Sequence, residues 1–134
     1  METRKITDKY NHLVAHIEEM PIYDGRGEYN GYTCEKCGKV TVTRYRDKGV
    51  TPFITRCRFC GGFATHKITS KNPPPEGSQK YSRVYEWVRP TLGQLLLMEQ
   101  PVIHHVLNGG LVLDDEIKES EQQQEPTTEK PQEP

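Results

Sequence analysis

The sequence predicts a small α+β protein on three observations. These are the placement of its cysteines, the short β-branched and aromatic segments between and after them, and the helical patterns on either side. All four cysteines fall inside residues 32–68, as Cys34-x-x-Cys37 and, nineteen residues later, Cys57-x-x-Cys60. Two such turns present four thiolates to one ion, and tetrahedral Zn2+ asks for little beyond that placement. The predicted architecture is a small three-stranded, four-cysteine zinc ribbon holding one structural Zn2+. An N-terminal helix precedes it, a C-terminal strand with short helices packs on it, and a disordered acidic tail follows.

Taken in order, residues 1–31 supply a helix and a loop. Ile6, Tyr10, Leu13, Val14 and Ile17 recur at spacings of three and four, so residues 7–20 form an amphipathic helix that Thr7 can cap and Pro21 stops. Residues 24–31 are rich in Gly, Asp and Asn and read as a loop leading into the first cysteine pair. The ribbon spans 32–69. Gly38 and Gly61 each follow a cysteine, where a tight turn needs a backbone that glycine adopts cheaply. Residues 40–46 read as one strand, Asp47-Lys48-Gly49 as a turn, and residues 50–56 as a return strand that Pro52 confines to an edge. Residues 63–69 are the third strand.

A Pro- and Gly-bearing linker covers 70–80, with Asn72-Pro73-Pro74-Pro75 stiff and Gly77-Ser78 loose. Residues 81–113 hold a strand and two short helices. In 81–89, Tyr81, Arg83, Tyr85, Trp87 and Arg89 share one face. An Arg and aromatic face can stack nucleobases, but Tyr85 and Trp87 are better spent filling a small core with arginine stems across them. Thr91 and Gln94 have the spacing of a capping box. Pro101 opens a second helix and Gly109-Gly110 closes it. Residues 111–113 form a short apolar closing strand. From 114 to 134 the only apolar side chains are Ile117 and the prolines, and the segment is expected to be a disordered acidic tail.

Other uses of the cysteines fit less well. Two disulfides suit a secreted mini-protein, yet the opening Met-Glu-Thr-Arg-Lys lacks the apolar core of an export signal. A thioredoxin-like pair needs one Cys-x-x-Cys beside a βαβ pattern, not two matched pairs. Four thiolates also close the shell that a catalytic zinc leaves open. His12 and His16 lie four apart without the neighbouring Glu of a zinc protease motif, and His104 and His105 read as partly exposed helical residues.

The formal net charge of −1 hides an asymmetry. From residue 114 onward there are eight acids against two bases, whereas residues 32–68 hold eight bases against Glu35 and Asp47. Only 33 % of the chain is apolar, so a ribbon of this size depends on its ion, which contributes about 10–16 kcal/mol in comparable peptides. No stretch approaches the roughly eighteen apolar residues that span a bilayer, and reduced cysteines fit a cytoplasmic home.

Tyr85-Glu86-Trp87-Val88-Arg89-Pro90 and His105-Val106-Leu107-Asn108-Gly109-Gly110-Leu111, following the ribbon, carry a resemblance. Over residues 32–113 the chain resembles small zinc-ribbon proteins encoded by bacteriophages and prophages. The resemblance implies an origin and a fold and no catalytic residues.

Two functions are expected from the residues. The first is a non-catalytic module contacting nucleic acid through Arg44, Arg46, Arg56, Arg58 and Lys67, which would neutralise phosphates. The second is an adaptor that engages a protein partner through the ribbon or through the Leu-rich helices between Leu95 and Leu107. An enzymatic role is not expected, because no convergent set of catalytic groups is legible.

Overall fold

The computed structural model describes residues 3–75 and 77–129 of the 134. Helix α1 (Thr3–His16) with a 3-10 turn (Ile17–Glu19) leads into strands β1 (Tyr29–Cys34), β2 (Val40–Tyr45), β3 (Ile54–Arg56), β4 (Phe63–Ser70) and β5 (Tyr81–Val88). Helices α2 (Leu92–Leu95) and α3 (Gln100–Leu107), strand β6 (Val112–Leu113) and helix α4 (Asp114–Glu129) complete the chain. The strands form one sheet in the order β3-β4-β1-β2-β5-β6. β2 and β5 run parallel and every other neighbouring pair is antiparallel.

This overturns the small three-stranded ribbon, although the α+β class holds. The cysteine-bearing strands are half of a six-stranded curled sheet. The decisive miss is β1, whose Asn30 and Gly31 read as loop residues. In the sheet Gly31 is a point of close approach: a Cβ there would meet Val40 Cγ1 at 3.1 Å and Ile68 Cβ at 3.7 Å. Asn30 is held by side chains of β4, with Oδ1 accepting from Thr69 Oγ1 at 2.9 Å. The return strand is shorter than residues 50–56, because pairing with β4 covers only Ile54–Arg56. Proline at position 52 carries no N–H for the ladder.

Successive strand residues point to opposite faces, and both faces of this sheet are used. Tyr32, Tyr45, Ala64, Trp87 and Leu113 pack with Cys34 and Cys57 on the inner face. The buried Trp87 donates its Nε1–H to Thr43 Oγ1 at 2.8 Å, giving the indole the partner it needs away from water. On the outer face Val88 and Val112 pack against Ile6, Leu95, Ile103, Val106 and Ile117 from the four helices. Farther along that face, Pro73, Pro74 and Pro75 line a hollow together with Val40, Val42 and Tyr81.

The helices follow their local signals. Thr91 Oγ1 accepts from the Gln94 backbone N–H at 3.2 Å, and Gln94 Oε1 accepts from the Thr91 N–H at 2.9 Å, the expected capping box. Pro101 sits in the first turn of α3. At Gly110 a Cβ would strike the His105 ring at 2.2 Å, while His105 Nε2 lies 3.0 Å from the carbonyl oxygen of Leu111. That pairing is the physical content of the His105 to Leu111 segment. α1 begins at Thr3, four residues ahead of the expected start. Among the described residues no helix is long and apolar enough to cross a membrane.

The start of the expected acidic tail is helical and packed. β6 runs directly into α4, whose first turn carries Asp114, Asp115 and Glu116, where acids favour a helix N-terminus. Ile117 is buried. Arg58, just 4 % exposed at its side chain, grips Asp115 through Nε at 2.7 Å and Nη2 at 2.9 Å and meets Glu116 at 3.4 Å. Arg56 meets Glu119 at 3.1 Å. These pairs join the β3 edge to the helix leaving the β6 edge, which curls the sheet towards closure. The expected tail residues 130–134 lie outside the described residues.

Removing one member of a buried pair leaves an uncompensated charge. Arg58→Met is expected to lower the unfolding free energy by about 3 kcal/mol, whereas Arg56→Met at the half-exposed pair should cost less than about 1 kcal/mol. Urea denaturation of both variants checks this, and equal effects would show that Arg58 does not hold the curl.

Candidate metal centre

Both Cys-x-x-Cys turns fold alike. In the first, Gly38 N–H donates to Cys34 O at 2.8 Å and Cys34 N–H to Lys39 O at 2.9 Å. In the second, Gly61 N–H donates to Cys57 O at 2.9 Å and Cys57 N–H to Gly62 O at 2.7 Å. Gly38 and Gly61 have φ of 77° and 81°, the left-handed backbone the sequence implied. Each turn aims backbone N–H groups at sulfur. Lys36 and Cys37 donate to Cys34 Sγ at 3.3 and 3.4 Å, Phe59 to Cys57 Sγ at 3.4 Å, and Gly62 to Cys60 Sγ at 3.4 Å.

The two turns bring Cys34, Cys37, Cys57 and Cys60 together with all four sulfurs within 4.8 Å of one another. Across the turns Cys34 Sγ lies 3.5 Å from Cys60 Sγ, and Cys37 Sγ lies 3.6 Å from Cys57 Sγ. A disulfide needs about 2.05 Å, so none is formed. Sulfurs at about 2.3 Å from a tetrahedral ion sit about 3.8 Å apart, close to these values. The donor set therefore fits a metal ion. Among the described residues it is the one group of three or more His, Cys, Asp or Glu side chains placed to share one.

The thiols differ in acidity. The Cys37 backbone N–H leads in pulling the Cys34 thiol down to about 6, joined by the Lys36 amide and Cys60 against desolvation. At Cys37 the Lys39 amide lowers the thiol, but desolvation and the neighbouring Cys57, Cys34 and Cys60 sulfurs push it up to about 11. At Cys57 burial works upward, yet the Cys60 and Phe59 amides bring it below its ordinary value. Mutually close sulfurs cannot all ionise unaided, and a cation among them removes that conflict.

The five expected phosphate contacts are placed differently. Arg44 pairs with Glu86 on the neighbouring strand, and Arg46 lies 3.9 Å from Glu86 and 4.0 Å from Asp47. Arg56 and Arg58 face α4 as described above. Lys67 is exposed on β4. Lys48, another ribbon base, donates to the carbonyl oxygens of Glu18 and Met20 at 3.0 and 2.9 Å, closing the C-terminal end of the first helical segment. Much of the ribbon's positive charge is thus matched within the chain. The sequence reading also passed over Asn30, His66 and Thr69, which meet on the inner face. Three polar residues from separate segments leave no local signal of that meeting.

Cys34 and Cys57 pack in the same core as Trp87, so the indole reports on the metal. Chelation, or Cys57→Ser, is expected to shift Trp87 emission to longer wavelength and abolish stoichiometric metal in elemental analysis. An unchanged spectrum after complete metal removal would contradict the coupling. Comparisons with family models, with curated proteins and with solved structures give no match to this chain.

Proposed function

We propose that this chain is a zinc-stabilised, non-catalytic interaction module whose partner is a protein, docked through the outward face of β3 and β4. Zinc is the favoured ion because four closely held thiolates form the closed shell of a structural site and leave no open position for chemistry. The observation that carries the docking reading is exposed apolar surface. Phe63 is 80 % exposed and Ile54 is 53 % exposed. Cα pairing sets Arg56 opposite Phe63 and Ile54 opposite Thr65, which puts Ile54 and Phe63 on one face. Ile54 sits on the edge strand, since β3 has a neighbour on one side only, and Phe63 lies on β4 next to it. Apolar patches of this kind mark partner surfaces.

The Leu-rich helices support docking less well. Leu95, Ile103 and Val106 are consumed by the outer-face core, leaving Leu96 and Leu97 partly exposed. The phosphate-contact reading has also lost ground, because Arg44, Arg46, Arg56 and Arg58 already face acids of this chain.

Replacing both Ile54 and Phe63 by Ser is expected to weaken binding of a protein recovered by affinity capture by roughly tenfold or more. Calorimetric titration of the purified pair is the measurement, with metal content and the unfolding midpoint unchanged. Undiminished binding by the double variant would reject this surface. Salt-dependent oligonucleotide binding that Arg44→Ala and Arg46→Ala abolish would establish the phosphate-contact reading instead.

A further inference from the structure

Ile54 and Phe63 stand at one end of a groove. With Pro52, Pro101 and Val112 they line a hollow of about 390 Å³ between the β3 edge and the start of α3. A second hollow of about 260 Å³ continues it towards Leu97 and Met98. The two hollows share Val102, Val112 and Glu116, so they form one groove flanked by α3 and α4. Its ends are open to solvent, with Phe63 80 % exposed at one and Leu97 38 % exposed at the other.

The rim of this groove is acidic. Glu99, Glu116 and Glu119 line it, against Arg56 as the one lysine or arginine in the lining. Arg56 lies 3.1 Å from Glu119, and Arg58 reaches in to 3.4 Å from Glu116. Both acids remain accessible, with 41 % of the Glu116 side chain and 50 % of the Glu119 side chain exposed. Glu99 is exposed and, among the described residues, makes no ion pair. Residues 114–121 add to the excess, with five acids against Lys118. Arg56 and Arg58 do not balance that charge. Such a surface repels phosphate and attracts lysine and arginine.

We propose that the groove seats a basic amphipathic segment of the protein partner. Its apolar side chains enter the two hollows, and its lysine or arginine side chains lie beside Glu99, Glu116 and Glu119. The inference rests on the protein-docking reading and adds the chemistry of the partner. Apolar anchors supply most of the affinity. The acids at the rim select the sign of the partner's charge and speed its approach. An acidic or phosphorylated segment of the same shape is turned away by like charge.

The test titrates a peptide of three Leu-Lys-Lys-Leu repeats into the metal-loaded full-length chain and follows the Val102 and Val112 methyls by 13C–1H NMR. Saturable shifts at both are expected, with an affinity that falls as salt is added. Glu99→Lys should weaken binding about 3- to 10-fold, and Leu97→Ser by a similar factor. Both positions are exposed, and unchanged Trp87 emission and metal content show that the variants fold. The same peptide with glutamate in place of lysine should not bind. No saturable shift at Val102 and Val112, equal binding of the glutamate peptide, or full affinity in both variants overturns the proposal. The captured partner separates this inference from the docking face. If replacing Ile54 and Phe63 by Ser releases that partner while Glu99→Lys and Leu97→Ser hold it at full affinity, the docking face stands and the groove assignment falls. If the lysine peptide seats on Val102 while the Ile54 and Phe63 variant keeps its partner, the docking face falls and the groove stands.

Discussion

Four sulfur atoms within 4.8 Å of one another repel as thiolates and bond weakly as thiols, so a cation among them would hold the two cysteine turns together. The consequence spreads well past the turns. Cys34 ends β1 and Cys57 follows β3, and both lie in the inner core with Tyr32, Ala64, Trp87 and Leu113. An ion held there would fasten the two cysteine turns together beside the core that holds Trp87. Metal binding would then be coupled to core formation, as in other small domains whose folding depends on an ion.

A second tie works at the opposite margin. The sheet's edge strands are only three and two residues long, and brief edges discourage pairing with foreign strands. Arg58, projecting from the second cysteine turn, reaches across to Asp115 and Glu116 at the start of α4. Burial raises the pKa of the Glu116 carboxyl, and the Arg58 guanidinium opposes that rise. One turn thus serves two purposes: its sulfurs join the four-cysteine cluster, and its arginine draws the two sheet margins together.

Charge and apolar surface consequently exchange the roles that composition suggests. The basic ribbon meets Glu86, Asp115, Glu116 and Glu119 inside the same chain, which turns a seemingly free positive surface into internal cement. Apolar side chains, scarce in the composition, are conspicuous outside. Phe53, Ile54 and Phe63 lie in or beside the short edge strand. In a chain so poor in apolar residues, leaving aromatic rings in water favours surfaces that receive a partner or ligand.

Local chemistry was legible in the residues themselves. The cysteine spacing, the glycines after each turn, the Thr91 to Gln94 capping box and the Pro101 helix start all act over a few residues, so the chain announced them directly. Strand β5 and the burial of Trp87 were likewise readable from alternation. What only the tertiary structure decided were matters of long-range pairing. Asn30 and Gly31 carry turn-like signals until β2 and β4 close on either side of them. The parallel pairing of β2 with β5 joins residues some forty apart. Arg58 and Asp115 are separated by 57 positions, and no periodicity connects them. The acidic segment reads as solvated chain until an arginine from the metal turn supplies its counter-charge. Propensity and spacing describe how a residue treats its neighbours in sequence, whereas sheet order and ion pairing depend on which distant segments share the same low-dielectric space.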